Sequence, residues 1–552
     1  MTPESAPGPR SQLSRPLRIA LVAVPLAAAA IVHGQILGGF FVWDDFLHLY
    51  NVANESLARF ASRPHGGHVL VSFRIAFYLM WQLFGLEARA WFAVVLLTHL
   101  FNTWLLGAIL RRLTGEPLVA AAAALLWGIS PISRGALSWI SVYSHVLVVP
   151  FVGLVIYDLA RIRAGEYHVS RFTFLKWNAL LLAASNSFGI GTTMAVTSPL
   201  WATALMWDHP ARRRVACALL PALLLVPLAF FGVKEIDRRL SGLPVLTVIP
   251  FGLPGVLAIL DSEWRLFAYG LVSSLGGGLI AVVPSFPYVV PGVAAGPLAG
   301  LAPDAVAALT HWMALALLLA LAALAWRGGA ACRALIVGGL LLALCGYGGV
   351  ALGRTKIAVL LGQSVTWITL QARYQYSPAF ALWIALAVAA STAGLSRLRR
   401  RTLAVSLIAW VGLQLAFAIP SARQMNPPGL SEMRKRFDDT VELMASRIRL
   451  TPRGNVATVV AWDMNLIPFA TRKTFPGWAA LFVIAFPDEV VEGRTVRFII
   501  ADDETLRVLR ADPNTRIAHL VIGAHERPPP PARHGGDAAE PRPSLPPGEG
   551  SH

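Results

Sequence analysis

A series of long apolar segments constrains the fold of this chain more than any other feature. About 17–25 apolar residues in a row can cross the hydrocarbon core of a bilayer, which is about 30 Å thick. Two segments, 245–260 and 266–283, are interrupted by Pro and Gly and form either two short spans or re-entrant elements. Eleven clearer spans are 17–40, 91–110, 118–132, 142–160, 172–184, 192–206, 215–231, 308–326, 334–352, 377–393 and 403–419. We therefore expect an all-α polytopic membrane protein with about 11–13 transmembrane helices.

The composition excludes two other classes of protein. The 552 residues are 56% hydrophobic and only 14% charged, whereas a soluble domain carries roughly 25% charged residues. With 17 Trp and 26 Phe, the chain is also too rich in aromatic residues to be disordered over most of its length. The three cysteines, Cys217, Cys332 and Cys345, have no paired spacing, so we expect neither disulfides nor a cysteine metal site.

The basic residues are distributed as the positive-inside rule requires. The formal net charge is +17, and its position along the chain points to a membrane surface, with no nucleic-acid partner. The first span follows three arginines and has no cleavage signature, so it is read as an anchor with a cytoplasmic N-terminus. The arginines that fall in the expected cytoplasmic loops are Arg111, Arg112, Arg161, Arg163, Arg171, Arg212, Arg213, Arg214, Arg327, Arg333, Arg397, Arg399, Arg400 and Arg401.

The sequence divides into four parts. Residues 1–16 form a cytoplasmic tail, and residues 17–420 form the transmembrane domain, with a first external loop at 41–90. Sixteen of the thirty carboxylates lie after position 420, where a helix at 431–448 and short β-branched runs at 456–462, 495–500 and 517–522 predict a small extracytoplasmic α+β domain at 421–525. Residues 526–552 are rich in Pro and Gly and predict a disordered tail.

An adjacent pair of acids follows the first span directly. Asp44 and Asp45 are the only adjacent carboxylates among the first 420 residues. An acid at a membrane boundary is costly unless it is paired or used, so this pair is a candidate catalytic site. Two close carboxylates in a cleft do not ionise independently, and one can accept a proton while the other stays anionic. The alternative is an acidic turn that caps the following helix.

Basic and imidazole side chains on the same expected side are candidate binding residues. A lipid phosphate needs cationic partners, and cations on the outer side oppose the positive-inside rule. The alternative interpretation is that the basic side chains extend to the outer lipid headgroups and that the two histidines lie in a solvated Gly turn. The candidates are His65, His68, Arg74, Arg354, Lys356, Arg373 and Tyr374.

Other polar residues are expected to serve packing or local pairing. His99 and Asn102 lie within one span, where hydrogen bonds between helices are the favoured interpretation. Asp158 near the cytoplasmic end is expected to pair with Arg161 or Arg163. The spacing of Asp44 and His48 puts them on one helix face, which is a weak metal signal. The residues thus identify no certain cofactor, and a divalent metal, Mg²⁺ or Mn²⁺, stays open.

The placement of the acidic pair resembles that of the GT-C superfamily of integral-membrane glycosyltransferases. The similar features are the DD pair after the first span, the LFG turn, the H-x-x-N pattern of His99 and Asn102, the segment SNSFGIGTTMAVTSPLW, and ARYQYSPAFAL with its "RY" helix start. The resemblance covers residues 17–420 in topology. It implies a polyprenyl-phosphate sugar donor, an acceptor that is a glycan, lipid or protein, and inverting transfer at the external face. Asp44 or Asp45 is then the catalytic base, and Arg373 with Tyr374 lies at the donor phosphate.

Two other functions remain alternatives to a cell-envelope glycosyltransferase. A transporter or flippase for a lipid-linked substrate would use the acids as proton-relay groups, and would favour inverted repeats and midplane charges. A non-catalytic scaffold would use its external domain to bind a partner. The arginine and alanine bias leads us to expect a bacterial inner membrane, with the C-terminal domain periplasmic or extracellular.

Overall fold

A computed structural model describes residues 14–42, 44–65, 68–241, 264–280, 303–360, 371–392, 412, 430–461, 495–500 and 520–524. The predicted spans 245–260 and 403–419 therefore lie outside the described residues, apart from position 412, and so does the tail 526–552.

The regular secondary structure in the described part of the 17–420 region is helical. Short 3₁₀ segments at Gly34–Gly38, Pro131–Ser133 and Ile140–Val142 connect some of the helices. The α-helices are α1 (Arg15–His33), α2 (Asp44–Asn54), α3 (Leu57–Ser62), α4 (Val71–Phe84), α5 (Ala88–Thr114), α6 (Pro117–Gly128), α7 (Arg134–Leu137), α8 (Tyr143–Arg163), α9 (Arg171–Ser185), α10 (Gly189–Val196), α11 (Ser198–Leu205), α12 (Arg212–Leu219), α13 (Ala222–Ser241), α14 (Trp264–Ile280), α15 (Pro303–Arg327), α16 (Ala330–Leu360) and α17 (Ala372–Thr392).

Five stretches of helix in the described residues are long and apolar enough to cross a membrane. Shorter apolar helices, Val71–Phe84, Pro117–Gly128 and His311–Arg327, lie among them. The expectation of an all-α polytopic membrane protein is thus confirmed. The five stretches are Arg15–Gly38, Ala88–Thr114, Ile140–Arg163, Arg212–Arg239 and Ala330–Thr355.

Two spans that were predicted as continuous are broken. The span at 192–206 divides at Thr197 into α10 and α11, with Pro199 in the first turn of α11. The span at 215–231 divides at Leu220 and Pro221 into α12 and α13. Proline has no N–H to donate into the preceding turn, so it starts a helix more readily than it continues one.

Small residues let α16 pack closely on its neighbours. A Cβ on Gly338 would lie 2.5 Å from the backbone nitrogen of Leu205 in α11. A Cβ on Gly346 would lie 3.0 Å from the ring of Pro378 in α17. Helices in membranes associate through such close approach of small residues, so these glycines let α16 lie directly against both α11 and α17.

Buried polar residues tie helices together inside the bundle. Tyr376 Oη in α17 lies 2.8 Å from His99 Nδ1 and 3.2 Å from Asn102 Nδ2 in α5. The other ring nitrogen of His99 lies 2.8 Å from the Gly128 carbonyl, and Asn102 also donates to the Val146 carbonyl. The interpretation of His99 and Asn102 as helix-packing residues is confirmed.

One end of the bundle holds a set of ion pairs, and we call it the basic end. There Arg112 pairs with Glu166 at 2.9 Å and Arg163 pairs with Asp208 at 2.7 Å. Asp158 pairs with Lys176 at 2.8 Å and lies 3.9 Å from Arg161. The predicted pairing of Asp158 is confirmed for Arg161, whereas Arg163 pairs with Asp208. The closer partner Lys176, 18 residues further along the chain, was not predicted.

The C-terminal portion contains one helix and one sheet. Helix α18 (Leu430–Arg449) precedes strands β1 (Val456–Ala461), β2 (Thr495–Ile500) and β3 (Leu520–Ala524). The strands pair in parallel in the order β1-β2-β3, with Val456 opposite Thr495 and Val496 opposite Leu520. The predicted helix and three strands are all present, and β3 begins three residues later than expected.

Candidate functional site

The two aspartates begin α2 but have different surroundings. Carboxylates are favoured in the first turn of a helix, where the backbone N–H groups point outward. Asp45 is fully buried, and its Oδ2 accepts from the Val42 backbone nitrogen at 2.9 Å. Its Oδ1 accepts from both the backbone nitrogen, at 2.6 Å, and the hydroxyl of Ser141. Both oxygens of Asp45 are thus occupied, whereas the Asp44 side chain is 42% exposed.

Burial controls the ionisation of Asp45. Removal from water raises the pKa of its carboxyl to about 7, although the hydrogen bonds from Ser141 and Val42 act in the opposite direction. The nearby charge of Asp44 adds a smaller upward effect on the same pKa. Asp45 is therefore a carboxyl that can change its protonation state near neutral pH.

Asp44 faces an imidazole. His65 Nε2 lies 3.6 Å from Asp44 Oδ2, and both side chains are partly exposed. The His65 ring packs edge-on against the ring of His48, at 4.7 Å between centroids. His48 is buried, and neither of its ring nitrogens has a hydrogen-bond partner among the described residues. Burial, with smaller effects from His65 and Arg74, keeps the pKa of His48 well below its usual range.

His65 and His68 connect the aspartates to a cationic cluster. The backbones of His65 and His68 exchange hydrogen bonds of 3.0 and 2.9 Å, so the two histidines lie side by side. His68 Nε2 accepts from Arg354 at 3.0 Å, and its ring packs on Phe188 at 4.4 Å. Burial, and then the charge of Arg354, hold the pKa of His68 well below its usual range.

Arg354 and Arg373 share one aromatic partner. Their guanidinium carbons lie 5.4 and 5.0 Å from the ring centroid of Tyr374. Arg373 also lies over Trp139, at 5.3 Å. All three distances are in the range of cation–π contacts. Among the described residues, neither guanidinium pairs with a carboxylate.

Two further groups, His145 and Lys234, complete the surroundings of the two histidines and arginines. His145 is buried and packs on Phe188 at 3.8 Å and beside Tyr374 at 5.6 Å. Its Nδ1 has no hydrogen-bond partner among the described residues. Lys234 is 7% exposed and contributes to the lowered pKa of His68 through its charge.

A second connection joins the aspartates to the arginines. Trp139, which Arg373 covers, lies two residues before Ser141, which binds Asp45. Gly135 in α7 packs against the start of α17, where a Cβ would lie 2.6 Å from the Cβ of Ala372. The segment 131–142 therefore positions both Asp45 and Arg373.

The structure brings most of the predicted residues together, with two exceptions. Asp44, His65, His68, Arg354, Arg373 and Tyr374 form one continuous set of contacts. Arg74 is buried away from Arg354 and Arg373, donates to the Phe60 carbonyl at 2.8 Å and covers the Phe60 ring. Lys356 lies in α16, but its side chain is outside the described residues.

The described residues contain no group of three or more His, Cys, Asp or Glu side chains that could hold a metal ion. Asp44 and His65, which lie 3.6 Å apart, are a pair only. A bound Mg²⁺ or Mn²⁺ stays a prediction.

Comparisons with known proteins find similarity only at the level of structure. No family model and no curated protein matches the chain. Two crystal structures of the Archaeoglobus fulgidus oligosaccharyltransferase are similar to it. One is tethered with an acceptor peptide containing the NVT sequon, with 10% identity, a TM-score of 0.39, and coverage of 84% of this chain and 65% of that chain. The other is in complex with Zn and sulfate, with 12% identity, a TM-score of 0.38, and coverage of 80% and 60%. This chain thus spans less than two thirds of the length of either.

Two site residues could not be selected from the sequence. Ser141 is 96 residues from Asp45 along the chain, and nothing in its local pattern distinguishes it from other serines. His145 follows Tyr143 at the beginning of α8, a pattern that is typical of an interfacial belt. The sequence shows only that His145 lies close to the start of a predicted span. That its ring lies beside Tyr374 is visible only in the structure.

Proposed function

We propose that the protein is a membrane glycosyltransferase of the GT-C type that uses a polyprenyl-phosphate sugar donor. One observation supports the proposal: His65 lies 3.6 Å from Asp44, and His68, whose backbone is hydrogen-bonded to that of His65, accepts from Arg354. A candidate base and a candidate phosphate site are therefore joined by two neighbouring histidines. The acceptor is an extracytoplasmic glycan, lipid or protein.

The arginines suit a phosphate. The two guanidinium groups, which have no carboxylate partner in the part of the chain that the structure describes, supply several N–H donors, and arginine binds phosphate oxygens in a bidentate way. The contacts with Tyr374 and Trp139 hold the guanidinium groups in place without neutralising them. Lys234 adds a third positive charge near His68.

Asp44 is the better candidate for the general base. A base must reach the proton that it removes, and Asp44 is partly exposed whereas both oxygens of Asp45 are bound inside the protein. His65 is near enough to orient the Asp44 carboxylate. Asp45 then acts as a positioning residue that fixes the start of α2 against the segment containing Ser141.

The proposed step forms two bonds and breaks two. Asp44 takes the proton from the acceptor O–H or N–H group as the acceptor atom bonds to the anomeric carbon from the face opposite the phosphate. The bond between that carbon and the phosphate oxygen breaks, and its electron pair leaves with the phosphate. Arg354 and Arg373 stabilise the negative charge that develops there. The configuration at the anomeric carbon is inverted.

The test uses the purified, reconstituted protein and polyprenyl-phosphate sugars extracted from its host membranes. We expect sugar transfer and release of polyprenyl phosphate, and a loss of about 10²–10⁴-fold in Asp44→Asn, because that is the usual contribution of a general base. Glu166→Gln, at the exposed end of a loop at the basic end, is the matched control. Full activity in Asp44→Asn would show that Asp44 is not the general base.

The same experiment distinguishes the transporter. If the lipid-linked sugar crosses the bilayer intact and no polyprenyl phosphate appears, the protein moves its substrate without breaking a bond. Transfer without release of polyprenyl phosphate would instead identify a different donor.

A further inference from the structure

The basic end of the bundle carries an apolar groove that the proposed function does not use. Its volume is about 610 Å³, within the range of about 300–1,000 Å³ that is usual for small-molecule sites. It lies between the beginning of α9 and α12. The residues that line it are Val169, Ser170, Arg171, Phe174, Leu175, Arg214, Cys217 and Ala218.

The walls of the groove are fixed by polar contacts. Ser170 and Thr173 form a capping box that defines the start of α9. Asn178 is buried and its Nδ2 donates to the Phe174 carbonyl at 2.8 Å and to the Ala218 carbonyl at 2.9 Å. Because these two carbonyls belong to residues on opposite walls, Asn178 holds α9 and α12 at a set separation.

Two arginines in the groove differ from their neighbours. At the basic end, Arg112, Arg163 and Lys176 each pair with a carboxylate. Arg171 and Arg214 are exposed, and neither pairs with a carboxylate of the described residues. The groove thus combines an apolar surface with two positive charges that no described acid neutralises.

We propose that this groove binds one anionic phospholipid. The lipid phosphate lies between Arg171 and Arg214, and an acyl chain packs along Phe174, Leu175 and Ala218. The groove opens beside exposed apolar side chains, with Phe172 70% and Leu175 64% exposed, as a surface facing lipid would be. A basic pocket between membrane helices with apolar walls is the chemistry that selects an acidic lipid headgroup.

The test measures lipid binding to the purified full chain by native mass spectrometry. Phosphatidylglycerol and phosphatidylcholine with identical acyl chains are titrated in turn. We expect phosphatidylglycerol to bind more tightly, with a loss of about 5-fold in Arg171→Gln or Arg214→Gln and about 30-fold in the double variant. These values follow from about 1 kcal/mol for each basic residue near an anionic surface.

Arg213→Gln is the matched control, because Arg213 precedes Arg214 on α12, is also exposed and does not line the groove. This variant should keep the phosphatidylglycerol affinity of the wild type. Equal binding of both lipids would mean that the groove does not select an acidic headgroup. An equal loss in Arg213→Gln would mean that the arginines attract acidic lipid only as a general charge. Equal binding of inorganic phosphate or glycerol phosphate would identify a phosphate site without a lipid. Each of these results overturns the proposal.

Cys217 supplies a second readout in the same groove. It is exposed, whereas Cys332 is buried, so a membrane-permeant maleimide should react first with Cys217. We expect slower alkylation in phosphatidylglycerol vesicles than in phosphatidylcholine vesicles. The Arg171→Gln, Arg214→Gln double variant should lose this difference if the lipid covers the thiol, and keeping it would contradict the proposed position of the lipid.

Discussion

Asp45 makes the stability of the protein depend on pH. Its carboxyl has an ordinary pKa of 3.8 in the unfolded chain and a pKa raised to about 7 by burial in the folded protein. Between these values the folded state binds more protons than the unfolded state. The contribution of Asp45 to the free energy of unfolding should therefore fall as the pH rises from 3.8 to about 7, by about 1.4 kcal/mol for each pH unit.

Asp45→Asn cannot ionise and should remove this slope. Thermal unfolding in detergent between pH 5 and pH 8 measures it, and Asp44→Asn is the control, since the charge of Asp44 is only a minor cause of the raised pKa. The same slope in the wild type and in Asp45→Asn would show that another group titrates.

The two arginines should act on donor binding. Arg354→Gln and Arg373→Gln each remove a cation that has no carboxylate partner among the described residues. A hydrogen bond to a charged group contributes about 1.5–3 kcal/mol, so we expect KM for the lipid-linked donor to rise by about 10- to 100-fold. Steady-state kinetics of transfer measures this, with Arg449→Gln in α18 as the control. An unchanged KM in both site variants would place the phosphate elsewhere.

At the scale of single residues, the sequence predicts which side chains belong to the site better than it predicts which residues they contact. The types and positions of Asp44, His68, Arg354 and Arg373 could be selected because charge next to apolar spans is unusual. The division of roles between Asp44 and Asp45 could not, because it depends on Ser141, 96 residues away. Arg74 looked similar to the other arginines, but its partner is the Phe60 carbonyl.

The contact of α7 with the start of α17 makes Gly135 a position that controls the site. A Cβ there would lie 2.6 Å from the Cβ of Ala372 and 2.9 Å from the backbone nitrogen of Arg373. Because backbone atoms cannot move aside as a side-chain end can, Gly135→Ala should displace the beginning of α17 and with it Arg373. Overpacking of this kind typically costs about 1–3 kcal/mol.

We expect Gly135→Ala to lower the unfolding temperature and to raise KM for the donor. Gly232→Ala in α13 is the matched control, because a Cβ at Gly232 meets nothing within 4 Å. Both variants are measured by thermal unfolding and by transfer kinetics. If they behave alike, the α7 contact does not position Arg373.

At the scale of elements, hydropathy located the helices but not their breaks. Apolar composition alone predicts α1, α5, α8 and α16, because each is long and continuous. It does not locate the break at Thr197, since the apolar run continues through it. Two helix ends were marked by glycine, at Gly85 with φ +51° and Gly115 with φ +68°, where a side chain would be strained.

At the scale of the whole molecule, two contacts place the C-terminal helix α18 near the acidic pair. Phe437 of α18 packs on Phe40 at 5.4 Å, four residues before Asp44. Arg434 of α18 lies 3.4 Å from Glu87, at the beginning of α5. The opposite end of α5 carries Arg112 at the basic end. Because α5 is 27 residues long, at about 1.5 Å per residue its two ends lie about 40 Å apart.

This arrangement predicts that α18 and the basic end face opposite sides of the membrane. In a background without the native cysteines, Asp439→Cys in α18 and Ala164→Cys after α8 place thiols at two exposed positions. The positive-inside rule puts the basic end in the cytoplasm. A membrane-impermeant maleimide added to intact spheroplasts should therefore label the Asp439→Cys variant, and should label the Ala164→Cys variant only after permeabilisation. Labelling of both from outside would contradict the packing of α18 near Phe40, and labelling of 164 alone would reverse the orientation, placing the proposed transfer site on the cytoplasmic side.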